Sequence, residues 1–135
     1  MKRSDVRMAL IAGAACALLT TGAALAGSMT IFPALVDTAG KTAMGNLASA
    51  FNTPEFLNFI GCEVTIEGVD TWGQCIARNE AGDVGACTTL NPDMIAAINS
   101  VSAESFVRFE WDNFGNCTLL NVWNGSDSEI RVPRR

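Results

Sequence analysis

The fold is decided by residues 61–123, which read GCEVTIEGVDTWGQCIARNEAGDVGACTTLNPDMIAAINSVSAESFVRFEWDNFGNCTLLNVW. This stretch holds four cysteines and most of the alternating apolar and polar sequence of the chain. Alternation over four to eight residues is typical of a strand with one buried face. The stretch therefore predicts a sheet-rich domain whose strands are held together by disulfides. The cysteines are Cys62, Cys75, Cys87 and Cys117.

The first part of the stretch predicts a β-hairpin. Cys62, Val64 and Ile66 alternate with polar residues, which places them on one face of a strand. Residues 68–70 have the composition of a turn, and residues 71–78 alternate again as the return strand.

A second hairpin is predicted at the other end of the stretch. Residues 104–112 alternate, and residues 117–123 form the partner strand. Gly115 and its neighbouring asparagines favour a tight turn between them, because these residues tolerate left-handed backbone angles. Residues 79–85 are rich in turn formers and are expected to form a surface loop between the hairpins.

Helices are predicted on both sides of the first hairpin. Residues 38–51 carry apolar side chains at i, i+3, i+4 and i+7, which is the spacing of one helical face. Residues 53–60 begin with Thr53 as a cap and Pro54 at the first helical position. A third helix is predicted from Pro92 and joins the hairpins. The apolar face of the first helix would consist of Met44, Leu47, Ala48 and Phe51.

The predicted fold class is therefore α+β. We expect N-terminal helices followed by a four-stranded antiparallel sheet, made of two hairpins joined by a helix and stapled by disulfides. In domain terms, an extended apolar arm (27–36) precedes a single α+β domain (37–123), and a polar and basic tail (124–135) follows it.

Residues 1–26 have the pattern of a secretory signal peptide. Basic residues come first, an apolar run follows, and the small residues Ala24 and Ala26 suit cleavage after Ala26. A retained membrane anchor is the alternative, because residues 8–26 carry no charge, but their weakly apolar composition favours cleavage. Removing the leader removes Cys16 and leaves an even number of cysteines, as a disulfide framework requires. We expect a secreted, periplasmic or cell-surface protein.

The charge of the mature chain narrows the class of partner. Residues 27–135 carry six basic and thirteen acidic side chains, for a net charge of −7. An acidic surface disfavours nucleic acid and anionic membranes as partners. The membrane is therefore expected to be met only transiently, through the signal segment, and the expected partner is protein, with copies of the same chain as a candidate.

The apolar arm at residues 27–36 has two possible packing arrangements. Pro33 excludes a central strand position, because proline lacks a donor for the sheet ladder. The arm can pack on its own domain, as chain termini often do, or add to the sheet of a neighbouring subunit. The candidate assembly residues are Thr30, Ile31, Phe32, Leu35 and Val36.

The four cysteines allow three pairings. The hairpin geometry favours Cys62 with Cys75 and Cys87 with Cys117, although all four lie near one end of the predicted sheet and crossed pairings stay open. The chain contains no histidine and no CxxC motif, so disulfides are expected rather than a metal site.

No catalytic constellation is predicted. The absence of histidine removes the commonest general base and the serine and cysteine triads, and neither a cofactor nor a metal is expected. Glu63 with Glu67, and Glu110 with Asp112, could form the carboxylate pair of a glycan hydrolase. The same spacing is typical of a solvated strand face, which is the preferred interpretation.

Tryptophans are the best candidates for a binding patch. Trp111 is in phase with Val107 and Phe109 and is expected in the core, whereas Trp72 lies beside a turn and Trp123 at a strand end. The expected function is a non-catalytic protein that acts through protein contacts, with self-assembly into an extracellular or surface structure as its most specific form. A small secreted inhibitor or ligand-binding module is the alternative, and a carboxylate-dependent glycan hydrolase is a remote one.

Overall fold

The structure, a computed structural model, describes residues 31–54 and 57–125. Over these residues the chain is mostly sheet, with two short helices and two antiparallel sheets. The strands are β1 (Leu35–Asp37), β2 (Thr42–Asn46), β3 (Phe59–Glu67), β4 (Asp70–Arg78), β5 (Val84–Thr89), β6 (Phe106–Trp111) and β7 (Cys117–Trp123), and the helices are α1 (Leu47–Asn52) and α2 (Pro92–Ile98).

The two sheets enclose one core. The four-stranded sheet has the order β1-β2-β6-β7 and the three-stranded sheet the order β3-β4-β5. Val107 and Phe109 of β6 are fully buried against a cluster that includes Cys75 and Ala77 of β4. The sheets also touch edge to edge at one point, where the Thr88 N–H donates to the Gly115 carbonyl at 2.9 Å.

Both predicted hairpins form, but they lie in different sheets. β3 pairs with β4 and β6 pairs with β7, and the two turns use Gly68 and Gly115 with positive φ of 63° and 81°. The prediction of one four-stranded sheet made of these hairpins is therefore wrong. β5 begins at Val84, inside the predicted loop, and pairs with β4. β2 pairs with β6, so each hairpin is extended by a further strand in its own sheet.

The predicted helix over residues 38–51 is only partly formed. Residues 38–41 form a turn, β2 follows, and only the single short helix α1 remains. The physical reason is tertiary pairing: β2 gains a full ladder to β6, which outweighs a helical preference already weakened by Gly45. Asn46 then caps α1, its side chain accepting from the Ser49 N–H at 3.0 Å.

The helix predicted over residues 53–60 is also not found in the described part of that range. Thr53 ends α1 instead of starting a new helix, and its hydroxyl donates to the Ala50 carbonyl at 2.8 Å. Phe59 already belongs to β3. Residues 55 and 56 lie outside the described residues.

The helix predicted from Pro92 is confirmed as α2. The Asn91 side chain accepts from the Asp93 N–H at 2.8 Å and caps the helix, with Pro92 in the first turn. Ile98 at its C-terminal end is buried and packs over Gly73 of β4. α2 therefore covers one end of the inner face of the three-stranded sheet.

The N-terminal arm packs on its own domain over its described part. β1 pairs with β2, the Asn46 N–H donates to the Phe32 carbonyl at 2.7 Å, and Ala34 is buried. The Phe32 ring meets that of Phe106 edge to face, with centroids 5.5 Å apart. Val36 packs against the core, while Ile31 and Leu35 are exposed. Thr30, with the rest of residues 27–30, lies outside the described residues.

Candidate functional site

Three of the cysteines form a row across the inner face of the three-stranded sheet. In the ladder, Cys62 of β3 lies opposite Cys75 of β4, which in turn lies opposite Cys87 of β5. Cys62 and Cys75 form one disulfide. Cys87 forms the other with Cys117 of β7. These are the two pairs that the hairpin geometry favoured, and together they indicate an oxidising compartment outside the cytoplasm.

The second disulfide joins the two sheets. It lies beside the contact between Thr88 and Gly115 described above. Close by in the same interface, the Trp111 ring packs over Gly85 so tightly that a Cβ at that glycine would lie 2.5 Å from the ring. Trp111 also contacts Phe109, with ring centroids 5.8 Å apart. The disulfide and the tryptophan therefore fix the spacing between β5 and the second hairpin.

The two carboxylate pairs lie on exposed or half-exposed strand positions. Glu63 and Glu67 are exposed on the same face of β3. Glu110 accepts from the Arg108 guanidinium two residues away on the same face of β6. These are the arrangements expected of solvated strand faces, and Glu110 is already engaged as an ion-pair partner.

Asp112 is a structural carboxylate of the second turn. One of its oxygens accepts from the backbone N–H groups of Phe114 and Asn116, and the other accepts from the Asn116 side-chain amide at 2.9 Å. The Asn116 side chain, followed by these backbone donors, lowers the pKa of Asp112 below its ordinary 3.8. A general acid requires a raised pKa, so the shift has the wrong direction for that role. Among the described residues, no group of three or more histidine, cysteine or acidic side chains is placed to hold a metal ion.

Trp72 lines a shallow cavity of about 410 Å³ where the two sheets meet. The ring is partly buried, and the exposed Leu90 side chain forms another part of the wall. The remaining lining residues are Thr88, Thr89 and Asn116. An apolar wall with hydroxyl and amide groups beside it is the usual composition of a small ligand site.

Trp123 lies elsewhere. It is the last residue of β7, directly opposite Phe106 of β6, and exposes 58% of its surface. Asn116, beside Trp72, precedes the first residue of the same strand, so the two tryptophans are separated by about 20 Å of extended chain. The structure does not bring Trp72 and Trp123 together into one patch.

One exposed apolar surface of the three-stranded sheet was not predicted from the sequence. Phe59, Ile76 and Val84 expose 50%, 37% and 50% of their surface, one on each strand. We call this group the outer patch. Arg78 lies directly between Phe59 and Val84 in the ladder, and its Nε atom is buried without a hydrogen-bond partner among the described residues.

The alternation of large and small residues in β4 is the sequence signal for the outer patch. In β4 the large residues Trp72 and Ile76 alternate with the small residues Gly73, Cys75 and Ala77. Large apolar residues normally face a core, yet here the small side is buried because Ile98 and the disulfides approach it closely. The alternation of β4 was predicted, whereas the sequence left open which of its two faces is buried.

Comparisons with protein-family models, with curated proteins and with solved structures found no match to this chain. None of the helices in the described residues is both long enough and apolar enough to cross a membrane. The functional assignment must therefore come from the geometry of the chain itself.

Proposed function

We propose that this chain is an exported, disulfide-stabilised protein that acts through protein–protein contacts rather than catalysis. Copies of itself are the first candidate partner, which makes it a subunit of an extracellular or surface structure. The observation that supports this proposal most directly is the outer patch, where Phe59, Ile76 and Val84 are exposed on one face of the three-stranded sheet.

The chemistry of the outer patch suits a protein partner. Contiguous exposed apolar side chains bordered by polar groups are typical of contact surfaces. Half-buried Arg78 lies between Phe59 and Val84 in the ladder. Its positive charge favours a partner that brings a carboxylate to the patch.

Variants in the outer patch test this proposal. Ile76→Asp and Val84→Asp place a charge in the centre of the patch, and Thr118→Asp makes the same change at an exposed strand position of the other sheet. We expect the first two to abolish self-association in sedimentation velocity and assemblies in electron micrographs, and Thr118→Asp to leave both unchanged. Equal behaviour of all three variants and the wild type would remove the outer patch from the proposal.

Export and processing form a separate part of the proposal. The leader pattern and the pairing of all four remaining cysteines support cleavage after Ala26. Intact mass spectrometry of naturally exported protein, with and without reduction, is the test. We expect the mass of residues 27–135 and a gain of four hydrogen atoms on reduction of the two disulfides. A mass that includes the leader would contradict cleavage.

A second candidate function is a ligand-binding module that uses the cavity at Trp72. The observation that favours it is the 410 Å³ volume with an aromatic wall and polar neighbours. Capture of partners from the host's secreted fraction, with wild type, Trp72→Ala and Trp123→Ala, separates the candidates. Loss of a bound partner with Trp72→Ala alone supports the cavity; identical partners for all three proteins argue against it.

A further inference from the structure

The outer edge of β3 is the longest strand edge without a ladder partner among the described residues. Within that part of the chain, β3 has nine residues and ends the three-stranded sheet, with β4 as its ladder partner and α1 packed against it. The Cα atoms of Cys62 and Cys75 are 4.0 Å apart, the short spacing of an antiparallel pair without mutual backbone hydrogen bonds. The backbone groups of the even-numbered residues of β3, Val64 and Ile66 among them, therefore point away from β4 and are available to another strand.

This edge has a distinct side-chain pattern. Glu63 and Glu67 lie on the outer face, four residues apart and exposed. Val64 and Ile66 lie on the opposite face, and Ile66 exposes 72% of its surface. A strand that complements the edge would carry two basic residues four apart on one face and apolar residues on the other.

The C-terminal tail of this chain has the complementary pattern. Arg131 and Arg135 are four residues apart, and Ile130 and Val132 alternate with them. Three of the six basic side chains of residues 27–135 lie in the last five residues of an otherwise acidic chain. The tail lies outside the described residues, which end at Gly125 after β7.

We propose that residues 130–135 of one copy add as an antiparallel strand to the open edge of β3 in a second copy. Arg131 then lies opposite Glu67 and Arg135 opposite Glu63, while Val132 covers Ile66. This inference rests on the proposed function and specifies its two partner surfaces, which are the C-terminal tail of one copy and the acidic edge of β3 in the next.

Pro133 selects the antiparallel direction. In the antiparallel register Pro133 lies opposite Thr65, whose backbone N–H and carbonyl are hydrogen-bonded to β4. The nitrogen of Pro133 then points to solvent, so its missing N–H removes no hydrogen bond from the new strand pair. In a parallel register that matches the same charges, position 133 would have to donate to the Val64 carbonyl, which proline cannot do. The charges, the pairing of Val132 with Ile66 and the position of the proline agree on one register, in which Arg134 falls opposite Val64.

The apolar side chains at this end of the edge are exposed. In the single chain Ile66 remains largely exposed and Val69, in the adjoining turn, is almost completely exposed. A contact between a tail and a different surface is heterologous, so it repeats from copy to copy and produces chains or rings. That outcome is the assembly expected of a surface or extracellular subunit.

Charge reversal in the full exported protein tests the proposal. Glu67→Lys and Arg131→Glu each place like charges opposite one another, and we expect each to weaken self-association by about tenfold in sedimentation velocity. An equimolar mixture of the two variants should associate as wild type, because each tail then meets a complementary edge on the other variant. Glu80→Lys, at an exposed loop position, makes the same charge change away from the edge and should have no effect.

The other outcomes overturn the inference in distinguishable ways. If wild type associates but the charge-reversal variants associate equally well, the tail is not the partner of β3. The proposed self-assembly would then occur through another surface. If mixing fails to restore association, or if Glu63→Lys is rescued by Arg131→Glu, the register is wrong. A wild type that stays monomeric overturns both this contact and self-assembly, and leaves the capture of other proteins as the test of the wider proposal.

Discussion

Gly85 shows how one small residue sets the distance between the two sheets. Its position in β5 lies directly under the Trp111 ring of β6. Sequence analysis correctly expected Trp111 in the core from its phase with Val107 and Phe109. It could not predict the glycine beneath it, because a contact between strands of different sheets leaves no periodic signal in either strand.

Replacing Gly85 should therefore destabilise the protein. In Gly85→Ala the new Cβ would lie 2.5 Å from the Trp111 ring, and we expect a loss of about 1–3 kcal/mol of unfolding free energy through overpacking. Gly61→Ala is the matched control in the same sheet, since its nearest neighbour is the edge of the half-exposed Phe59 ring at 3.3 Å, which can rotate away. Urea denaturation measures both, and equal losses would contradict the packing account.

Asp112 should make the stability of the second turn depend on pH. Its pKa is lowered in the folded state, first by the Asn116 side chain, so the charged form stabilises the fold above the ordinary pKa of 3.8. This contribution is lost as pH falls through the lowered folded pKa. We expect Asp112→Asn to be less stable than wild type at about pH 7, and the difference to shrink as pH falls below 3.8. A difference in unfolding free energy that does not change with pH would contradict this role.

Among the structural elements, local signals predicted the hairpins and α2 but not the sheets. The hairpins and α2 depend on nearby residues: alternation, glycine turns, and the Asn91 cap with Pro92. The division into two sheets depends on β2 pairing with β6, 60 to 68 residues away in sequence, and on β5 joining β4. Such long-range pairing also turned part of the predicted helix over 38–51 into β2, because Gly45 accepts close backbone contact where a larger residue would not.

Gly45→Ala should loosen the N-terminal arm from the domain. A Cβ at this position would lie 2.9 Å from the Ala34 Cα and 3.2 Å from the Pro33 carbonyl, and backbone atoms cannot move aside as a side chain can. We expect increased proteolysis or hydrogen exchange at residues 32–37, with a fall in unfolding free energy of about 1–3 kcal/mol. Unchanged exchange at β1 would show that the arm does not depend on this contact.

The two disulfides should contribute unequally to stability. Cys62 and Cys75 close a separation of 13 residues, and Cys87 and Cys117 one of 30. Loop-closure entropy gives about 3 kcal/mol for the first and about 3.7 kcal/mol for the second. Replacing the second pair by alanine also releases the joint between the sheets. Thermal unfolding of the two double-alanine variants should rank the inter-sheet disulfide as the more important, and the reverse order would contradict the two-sheet account.

At the scale of the whole molecule, the protein combines a disulfide-linked core with exposed apolar surfaces. The core between the sheets is small, whereas the outer patch and the β3 edge remain uncovered in the single chain. Sequence analysis predicted a protein that works by contact, from the cysteines and the missing histidines. It left open whether the arm at residues 27–36 packs on its own domain or on a neighbouring copy, and it could not show that β3 is left at an edge of its sheet.

Residue-resolved hydrogen exchange across a concentration series is the most direct measurement of the central claim that copies associate through this edge. The backbone N–H groups of Val64 and Ile66 point away from β4 and should exchange quickly in dilute protein. The account predicts that both become protected as concentration rises, while β1 is unaffected. Exchange at Val64 and Ile66 that stays fast at every concentration would contradict it.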